Sequence, residues 1–218
     1  MLLLEKVNSP YVIKVFEFIQ TKQSLLLVQE YANGGSLQNL LELKGRLPEK
    51  IAKKFLIQII KGCTALYAER VVHRDLKLDN ILVHFPRFSD QVKKKQIMAM
   101  DLTNEEFTIK ICDLGFSRQI GEGDLAFSNL GSPLQMAPEF YFSRDGYDHK
   151  VDVWALGALY YTMLTNTHAF NARDHKHLEE RLRDGSWSWP KDVMFSLQGL
   201  EFLQHTFQFD PERRLNWN

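Results

Sequence analysis

Four polar residues in two short motifs have the types and spacing that phosphoryl transfer requires. The motif HRDLKLDN contains Asp75, Lys77 and Asn80, and the motif ICDLG adds Asp113. Transfer from a nucleotide needs a base or positioning group at the attacking hydroxyl, a cation near the moving phosphoryl group and oxygen ligands for Mg²⁺. Asp75 can supply the first, Lys77 the second, and Asn80 together with Asp113 the third.

Length and composition exclude several classes of protein. The 218 residues are enough for one or two domains and bury roughly 70% of the unfolded chain's surface. Lys plus Arg equals Asp plus Glu, at 27 each, so the chain lacks the basic excess of a general nucleic-acid-binding protein. Cys63 and Cys112 have no CxxC spacing, and we expect two buried thiols in a reducing compartment. The segments MLLLEKVNSP and 151–164 are too short for a signal peptide core or a membrane span, which favours a cytoplasmic protein.

The apolar patterns predict the elements that position these residues. Residues 12–18 and 24–29 are apolar runs separated by polar residues, and we expect them to form a β-hairpin. A stripe of apolar residues at spacings of three and four predicts a helix over residues 48–70. Residues 107–111 alternate as a short strand that leads into Asp113.

The second half of the sequence is predicted to be helical. Residues 150–166 are apolar nearly all round, which is typical of a helix buried inside a domain. Asp152 lies in this segment and would need hydrogen-bonding partners there. Residues 178–183 and 195–207 are also predicted to be helical.

The order of the motifs resembles that of eukaryotic protein kinases over essentially the whole chain. HRD, the downstream Asn80, DLG, APE, DVWALG and DPERR follow one another in the family's order. The resemblance implies an α+β, protein-kinase-like fold that uses ATP and Mg²⁺ to phosphorylate a protein substrate. It assigns residues 1–31 to the end of helix C and strands 4 and 5 of the N-lobe, and residues 32–218 to a complete or near-complete helical C-lobe.

The resemblance also implies roles for the four polar residues. Asp75 accepts or orients the proton of the substrate hydroxyl, and Lys77 neutralises charge on the transferring phosphoryl group. Asn80 and Asp113 are the metal ligands, and Asp113 also contacts the nucleotide through the metal.

Four further residues are implied to be structural. His73 joins a packed stack of side chains that Asp152 ties down, and Glu139 and Arg214 form a buried ion pair. Removing one member of such a pair leaves an uncompensated charge, so both are expected to stabilise the fold.

The activation segment is implied to be residues 113–139. Arg74 would balance a phosphorylated residue in this segment, and Ser128 is the candidate phosphosite. The substrate segment that follows comprises Gly131, Ser132 and Pro133. Ser132 would bond the catalytic Asp and Lys, which favours Ser/Thr substrates over Tyr, as does Lys77.

The segment LVQEYANGGSL resembles the hinge that holds adenine. The Glu30 carbonyl and the Ala32 amide would bond the base, and Gln29 would guard the back pocket. Leu82 would pack beneath the adenine, and Ser36 would lie near the ribose.

Residues 86–106 are an insertion relative to the family, which has a tight turn there. The expected structure is a solvated surface loop. A docking site for a regulatory partner is the alternative, because the segment contains the run Lys93, Lys94 and Lys95.

The sequence contains neither a GxGxxG loop nor a VAIK-type lysine, and the glutamate that pairs with this lysine would fall before Met1. We therefore expect the chain to be N-terminally truncated relative to the family's domain and, by itself, nearly inactive.

A kinase-like scaffold without catalysis is the alternative function. A small-molecule kinase is disfavoured by APE, GSP and DVWALG. Within the family, NSPYVIKV and GSPLQMAPE are similar to the autophagy-initiating kinases.

Overall fold

Six short strands and seven α-helices lie in the part of the chain that the computed structural model describes, namely residues 7–114, 118–119, 135–142, 146–188 and 190–217. The strands are β1 (Val15–Gln20), β2 (Leu25–Gln29), β3 (Val71–Val72), β4 (Ile81–His84), β5 (Thr108–Ile111) and β6 (Arg118–Gln119). The helices are α1 (Leu37–Lys44), α2 (Glu49–Ala68), α3 (Lys94–Ala99), α4 (Glu139–Phe142), α5 (Lys150–Thr165), α6 (His175–Arg183) and α7 (Leu197–Thr206). Short 3₁₀ helices occur at Leu78–Asn80 and Pro211–Arg213.

Strands β1 and β2 form the predicted hairpin. They pair antiparallel, with Phe18 opposite Leu27. The first strand begins at Val15 rather than at Val12, because Val12 is buried and bridges Ile111 of β5 instead. Within the described residues the three sheets are all two-stranded and antiparallel and occur together with seven α-helices, so the architecture is α+β as predicted.

Helix α2 follows the predicted apolar stripe. It begins after Pro48, and its buried residues include Ile51, Phe55, Ile59 and Cys63 at the predicted spacing. This face packs against α5 and β5. Burial of each large apolar side chain stabilises the fold by about 1.5–3 kcal/mol, so this face holds the two elements together.

Helix α5 is buried on all sides, as its sequence predicts. Every residue from Lys150 to Leu164 is buried. Gly157 faces α7 so closely that a β-carbon at this position would overlap the side chain of Thr206. A larger residue would force the two helices apart, so glycine is required by the packing.

The antiparallel pair β4 and β5 brings two distant motifs together. Ile81, the first residue of β4, is opposite Ile111, the last residue of β5. Ile13 donates its backbone N–H to the Ile111 carbonyl at 2.9 Å, which joins the β1–β2 hairpin to the same pair. Consequently the residue before β4 and the residues after β5 lie side by side.

The segment at residues 86–106, predicted to be an insertion, is mostly exposed, as expected of a solvated surface segment, but it is also partly helical and packed onto the domain. It contains α3, which lies against α1, and its buried side chains are Val92, Ile97, Met100 and Leu102. Lys54 of α2 donates to the Thr103 carbonyl at 2.6 Å. The lysine run, by contrast, is exposed.

Helices α6 and α7 occur within or near their predicted ranges, and α6 extends three residues further towards the N-terminus than expected. None of the described helices is long and apolar enough to cross a membrane.

Candidate active site

The side chains of Asp75, Lys77 and Asn80 form one hydrogen-bonded cluster. Lys77 Nζ donates to Asp75 Oδ2 at 2.7 Å, and Asn80 Nδ2 donates to the same oxygen at 3.1 Å and to the Asp75 carbonyl at 2.8 Å. Asp75 is 4% exposed, so this carboxylate is desolvated and its orientation is fixed by its neighbours. A fixed, partly desolvated carboxylate is suited to bind and orient a hydroxyl proton.

The β4–β5 pair positions the remaining carboxylate. Asn80 directly precedes β4 and Asp113 lies two residues after β5, and the Cys112 N–H donates to the Asn80 carbonyl at 2.9 Å. Asp113 has φ of 59°, in the left-handed region that is uncommon for residues other than glycine. The structure thus brings Asp113 into the neighbourhood of the Asp75 cluster.

Lys77 has the electrostatic surroundings of a permanent cation. Its hydrogen bond to Asp75 raises the pKa of the amine, and the charges of Asp75, Asp79 and Asp113 act in the same direction, against the effect of burial. Because a raised pKa keeps the amine protonated at neutral pH, Lys77 is available to neutralise an anionic group.

Asn80 and Asp113 fit the donor set that Mg²⁺ prefers. The Asn80 amide is oriented by its two bonds to Asp75, which leave Oδ1 without a hydrogen-bond partner among the described residues. The Asp113 carboxylate likewise has no hydrogen bond or ion pair within the described part of the chain. Amide and carboxylate oxygens are suitable ligands for a hard cation.

His73 connects this loop to the segment after β5. The ring accepts the Asp75 backbone N–H at Nδ1, at 3.3 Å, and its Nε2 lies 2.9 Å from the Cys112 carbonyl. A tautomer with hydrogen on Nε2 satisfies both contacts. The ring is fully buried, so it positions the loop and is not open to solvent.

Asp152 holds the backbone of the same loop. Its two oxygens accept the N–H groups of His73 at 2.8 Å and Arg74 at 2.9 Å. Burial raises the pKa of the Asp152 carboxyl, whereas His73 and the two N–H donors act in the opposite direction. Because Arg74 has φ of 70°, the bond from its N–H to Asp152 holds a strained backbone position. The Arg74 guanidinium lies 3.4 Å from the Tyr147 hydroxyl.

Glu139 and Arg214 form a buried, bidentate ion pair. Both nitrogen–oxygen distances are 2.6 Å. The remaining N–H groups of Arg214 donate to the carbonyls of Gln208, Phe209 and Lys150, so all five donors have partners. Such complete pairing compensates for the desolvation of both charges.

The segment predicted to bind adenine runs along the edge of β4. The Glu30 carbonyl and the Ala32 amide have no hydrogen-bond partner within the described residues. Ser36 caps α1, since its Oγ accepts the Asn39 N–H at 3.2 Å. Its backbone also forms an isolated β-bridge with the half-buried Leu82. The chain therefore offers one free acceptor and one free donor beside an apolar side chain.

Gln29 is exposed at the end of β2. The candidate phosphosite Ser128 and the substrate segment, which comprises Gly131, Ser132 and Pro133, lie outside the described residues. Most of the activation segment at residues 113–139 lies outside them as well.

Sequence reasoning missed three polar residues that connect separate segments of the fold. Asn33 is 1% exposed and bonds the backbone of the insertion. Lys110 of β5 pairs with Glu30 at 2.6 Å, and Glu49 joins α2 to α7. A lysine inside an apolar strand is a visible signal for Lys110, whereas Asn33 has no local signal within the segment LVQEYANGGSL.

Comparison with known proteins agrees with this geometry. The protein kinase domain family matches residues 1–218. The chain is 32% identical to the serine/threonine-protein kinase ATG1a of Arabidopsis thaliana over 192 residues, which are 88% of this chain and 28% of that protein. It is 30% identical to NUAK family SNF1-like kinase 1 of Mus musculus over 212 residues, 97% of this chain and 29% of that protein. A probable myosin light chain kinase of Dictyostelium discoideum is 28% identical over 216 residues, 99% of this chain and 63% of that protein.

The chain thus spans less than two thirds of the length of these relatives. The match nevertheless covers the whole chain and includes the motif of the hydrogen-bonded cluster as well as the motif that contains Asp113. The chain belongs to the eukaryotic protein kinase family.

Proposed function

We propose that this domain transfers the γ-phosphoryl group of ATP to serine and threonine hydroxyls of proteins. The observation that carries the proposal is the Asp75 carboxylate, held by Lys77 Nζ at 2.7 Å and by Asn80 Nδ2 at 3.1 Å. A scaffold protein has no chemical need for this arrangement, whereas phosphoryl transfer requires each of its members.

Each residue of the cluster has one task in the proposed reaction. ATP bound with Mg²⁺ would supply the phosphoryl group, and the metal would neutralise its developing charge. Asp75 accepts and orients the proton of the substrate hydroxyl. Lys77 places its charge beside the phosphoryl oxygens, while Asn80 Oδ1 and the Asp113 carboxylate would hold the metal.

The adenine would bind along the segment that joins β2 to α1. Its edge would bond the Glu30 carbonyl and the Ala32 amide, which are free among the described residues. Leu82 would form the apolar floor, Ser36 would lie near the ribose, and Gln29 would border the back of the pocket.

Supporting residues keep this machinery in place in the proposal. His73 and Asp152 position the catalytic loop, and Glu139 with Arg214 anchors the end of the activation segment. Arg74 would bind a phosphate on Ser128. Residues 1–31 would belong to the N-lobe and residues 32–218 to the C-lobe.

The preference for serine and threonine rests on Lys77 and on the substrate segment at Gly131, Ser132 and Pro133. It is supported by the name of one relative, the plant serine/threonine-protein kinase.

The 218-residue chain is expected to bind nucleotide weakly and transfer slowly, because its sequence contains neither a GxGxxG loop nor a VAIK-type lysine.

The test is the Mg²⁺ dependence of nucleotide binding, measured by calorimetry with ATP. Mg²⁺ should tighten binding to the unmodified chain but have little effect on Asp113→Asn, which loses a ligand charge. Asp79→Asn is the matched control, because Asp79 is an exposed carboxylate in the 3₁₀ helix at Leu78–Asn80 and is not proposed to bind the metal.

Transfer is then measured with radiolabelled ATP and peptides that differ only in a Ser, Thr or Tyr acceptor. Label should enter the Ser and Thr peptides slowly, over long incubations, and Asp75→Asn should reduce the rate by about 10²–10⁴-fold. A chain that binds no nucleotide at millimolar ATP would overturn the proposal in favour of a kinase-like binding module.

A further inference from the structure

Asn33 is a buried hydrogen-bonding centre between two parts of the fold. It is 1% exposed, and its Nδ2 donates to the carbonyls of Phe85 at 3.0 Å and Phe88 at 2.7 Å. Its Oδ1 accepts the Phe85 N–H at 2.8 Å, and its own carbonyl accepts the Val92 N–H at 2.9 Å. One residue therefore makes four bonds to a segment more than fifty positions away in the chain.

On one side of Asn33 lies the backbone proposed to bind adenine. Asn33 directly follows Ala32 in the sequence. Beyond it, the Gly34 N–H donates to the Val83 carbonyl and the Val83 N–H donates to the Gly35 carbonyl, both at 2.8 Å. The position of the Ala32 amide is consequently set by the hydrogen bonds of Asn33 and of the two glycines that follow it.

On the other side lies the insertion at residues 86–106, which contributes the Phe88 carbonyl and the Val92 N–H. This segment is held to the domain by Lys44 of α1, whose Nζ donates to the carbonyls of Met98 and Met100, and by the burial of Ile97. The insertion is thus a packed unit, and Asn33 is its link to the adenine-binding backbone.

A buried amide makes this link sensitive to displacement. Its donors and acceptor are all used, and an unmade hydrogen bond inside the protein costs more than one exposed to water. If the insertion moves outward, Asn33 must either follow it or lose the bonds to Phe88 and Val92. If it follows, the Ala32 amide shifts with it, and if it loses these bonds, its side chain is held by Phe85 alone and the Ala32 amide is less firmly positioned.

We propose that Asn33 is a positioning residue that couples the insertion to the adenine-binding backbone, so that displacement of the insertion lowers nucleotide affinity. A partner that binds the insertion could regulate the site by this route. The affinity part of the inference rests on the proposed kinase function, whereas the mechanical coupling does not.

The test displaces the insertion from an exposed position and observes the opposite end of the link. Met98 in α3 is 60% exposed, so Met98→Pro breaks this helix without removing a buried side chain. Met98→Ala is the control, because it truncates the same side chain but preserves the helix. Hydrogen exchange is followed at the Gly34 and Val83 amides, which report the adenine-binding backbone.

Met98→Pro should speed exchange at Gly34 and Val83 about tenfold, whereas Met98→Ala should leave it unchanged. In an Asn33→Ala background, Met98→Pro should add nothing further at these amides. Unchanged exchange at Gly34 in Met98→Pro, with exchange at Ile97 accelerated, would overturn the coupling. An equal effect of Met98→Pro on exchange in the unmodified and Asn33→Ala backgrounds would also overturn the coupling.

Nucleotide affinity is measured on the same variants. Met98→Pro should weaken ATP binding by about two- to tenfold relative to Met98→Ala, the effect of one weakened hydrogen bond at the Ala32 amide. If the unmodified chain binds no ATP, the kinase proposal fails, and the exchange experiment still decides the coupling. If ATP binds equally well to Met98→Pro and Met98→Ala, the regulatory inference is wrong.

Discussion

The buried carboxylate of Asp152 accepts the backbone N–H of His73 at 2.8 Å. Its other oxygen accepts the backbone N–H of Arg74. Both carboxylate oxygens of Asp152 are therefore bonded to the loop that contains Asp75. Helix α5 is thereby connected to this loop, although the two are far apart in sequence. A carboxylate is required because both partners are donors, and an amide offers only one acceptor oxygen.

Asp152→Asn should therefore leave one buried N–H opposite another donor. We expect the free energy of unfolding to fall by about 1–3 kcal/mol, the cost of an unsatisfied buried polar group. Urea denaturation at neutral pH measures the change. Asp148→Asn is the matched control, because this half-buried carboxylate accepts a single backbone N–H, from Lys150 at 2.8 Å. Equal losses in the two variants would contradict the bidentate role of Asp152.

Arg214→Met should destabilise the domain more strongly. It leaves Glu139 buried without a cation, which costs about 3–5 kcal/mol. The double variant Glu139→Gln with Arg214→Met should recover part of this loss, because no unpaired charge remains. Equilibrium denaturation of the four chains in this cycle gives the coupling energy.

The neighbouring Arg213→Met serves as the control for the loss of an arginine. Arg213 is 77% exposed and lies 3.5 Å from Asp210, so its removal should change stability by less than about 0.5 kcal/mol. A loss of unfolding free energy in the double variant equal to or larger than the sum of the two single losses would show that Glu139 and Arg214 do not stabilise each other.

The active-site cluster could be predicted because its chemistry is local. Asp75, Lys77 and Asn80 lie within one motif, and the short strand before Asp113 is visible in the alternation of residues 107–111. Their contacts are now observed, whereas their roles in transfer stay predictions. The positive φ of Asp113 had no local signal, since the sequence has no glycine at that position.

The packing of the insertion could not be predicted from its sequence. Its run of lysines is exposed, as a solvated loop would be, and its apolar residues are too few to show a period. Burial of Ile97 depends on α1, and the partner of Phe88 is Asn33, a residue in a separate segment. Such long-range contacts override the local composition.

Stability should fall in acid because of Glu49. Burial acts to raise the pKa of this carboxyl, but hydrogen bonds from Ser196, Tyr160 and Lys53 outweigh it and lower the pKa from 4.5 to about 2. The unfolded chain then binds more protons than the folded chain between these two values. The stabilisation is present above pH 4.5 and is lost as the pH falls towards 2.

Urea midpoints measured from pH 7 to pH 3 test this dependence. Glu49→Gln should be less stable at pH 7 and should show a smaller decline in acid. Glu42→Gln is the control, because Glu42 is exposed and accepts one bond, from the Gln38 side chain at 3.2 Å. Parallel pH curves for the unmodified chain and Glu49→Gln would rule out Glu49 as the acid-sensitive group.

Neither cysteine should react while the domain is folded. Burial raises the pKa of the Cys112 thiol to about 11, and the adjacent Asp113 charge adds to the shift. Burial also raises the pKa of Cys63, with a further contribution from Asp152. Because the thiolate is the nucleophile, both side chains combine poor access with a very small reactive fraction at pH 8.

Iodoacetamide labelling followed by mass spectrometry should find no label in the native chain and two labels in urea. Since Cys112 bonds the Asn80 carbonyl through its N–H, rapid labelling of Cys112 alone in the native chain would show that the segment joining β5 to Asp113 opens readily, contrary to a preformed site.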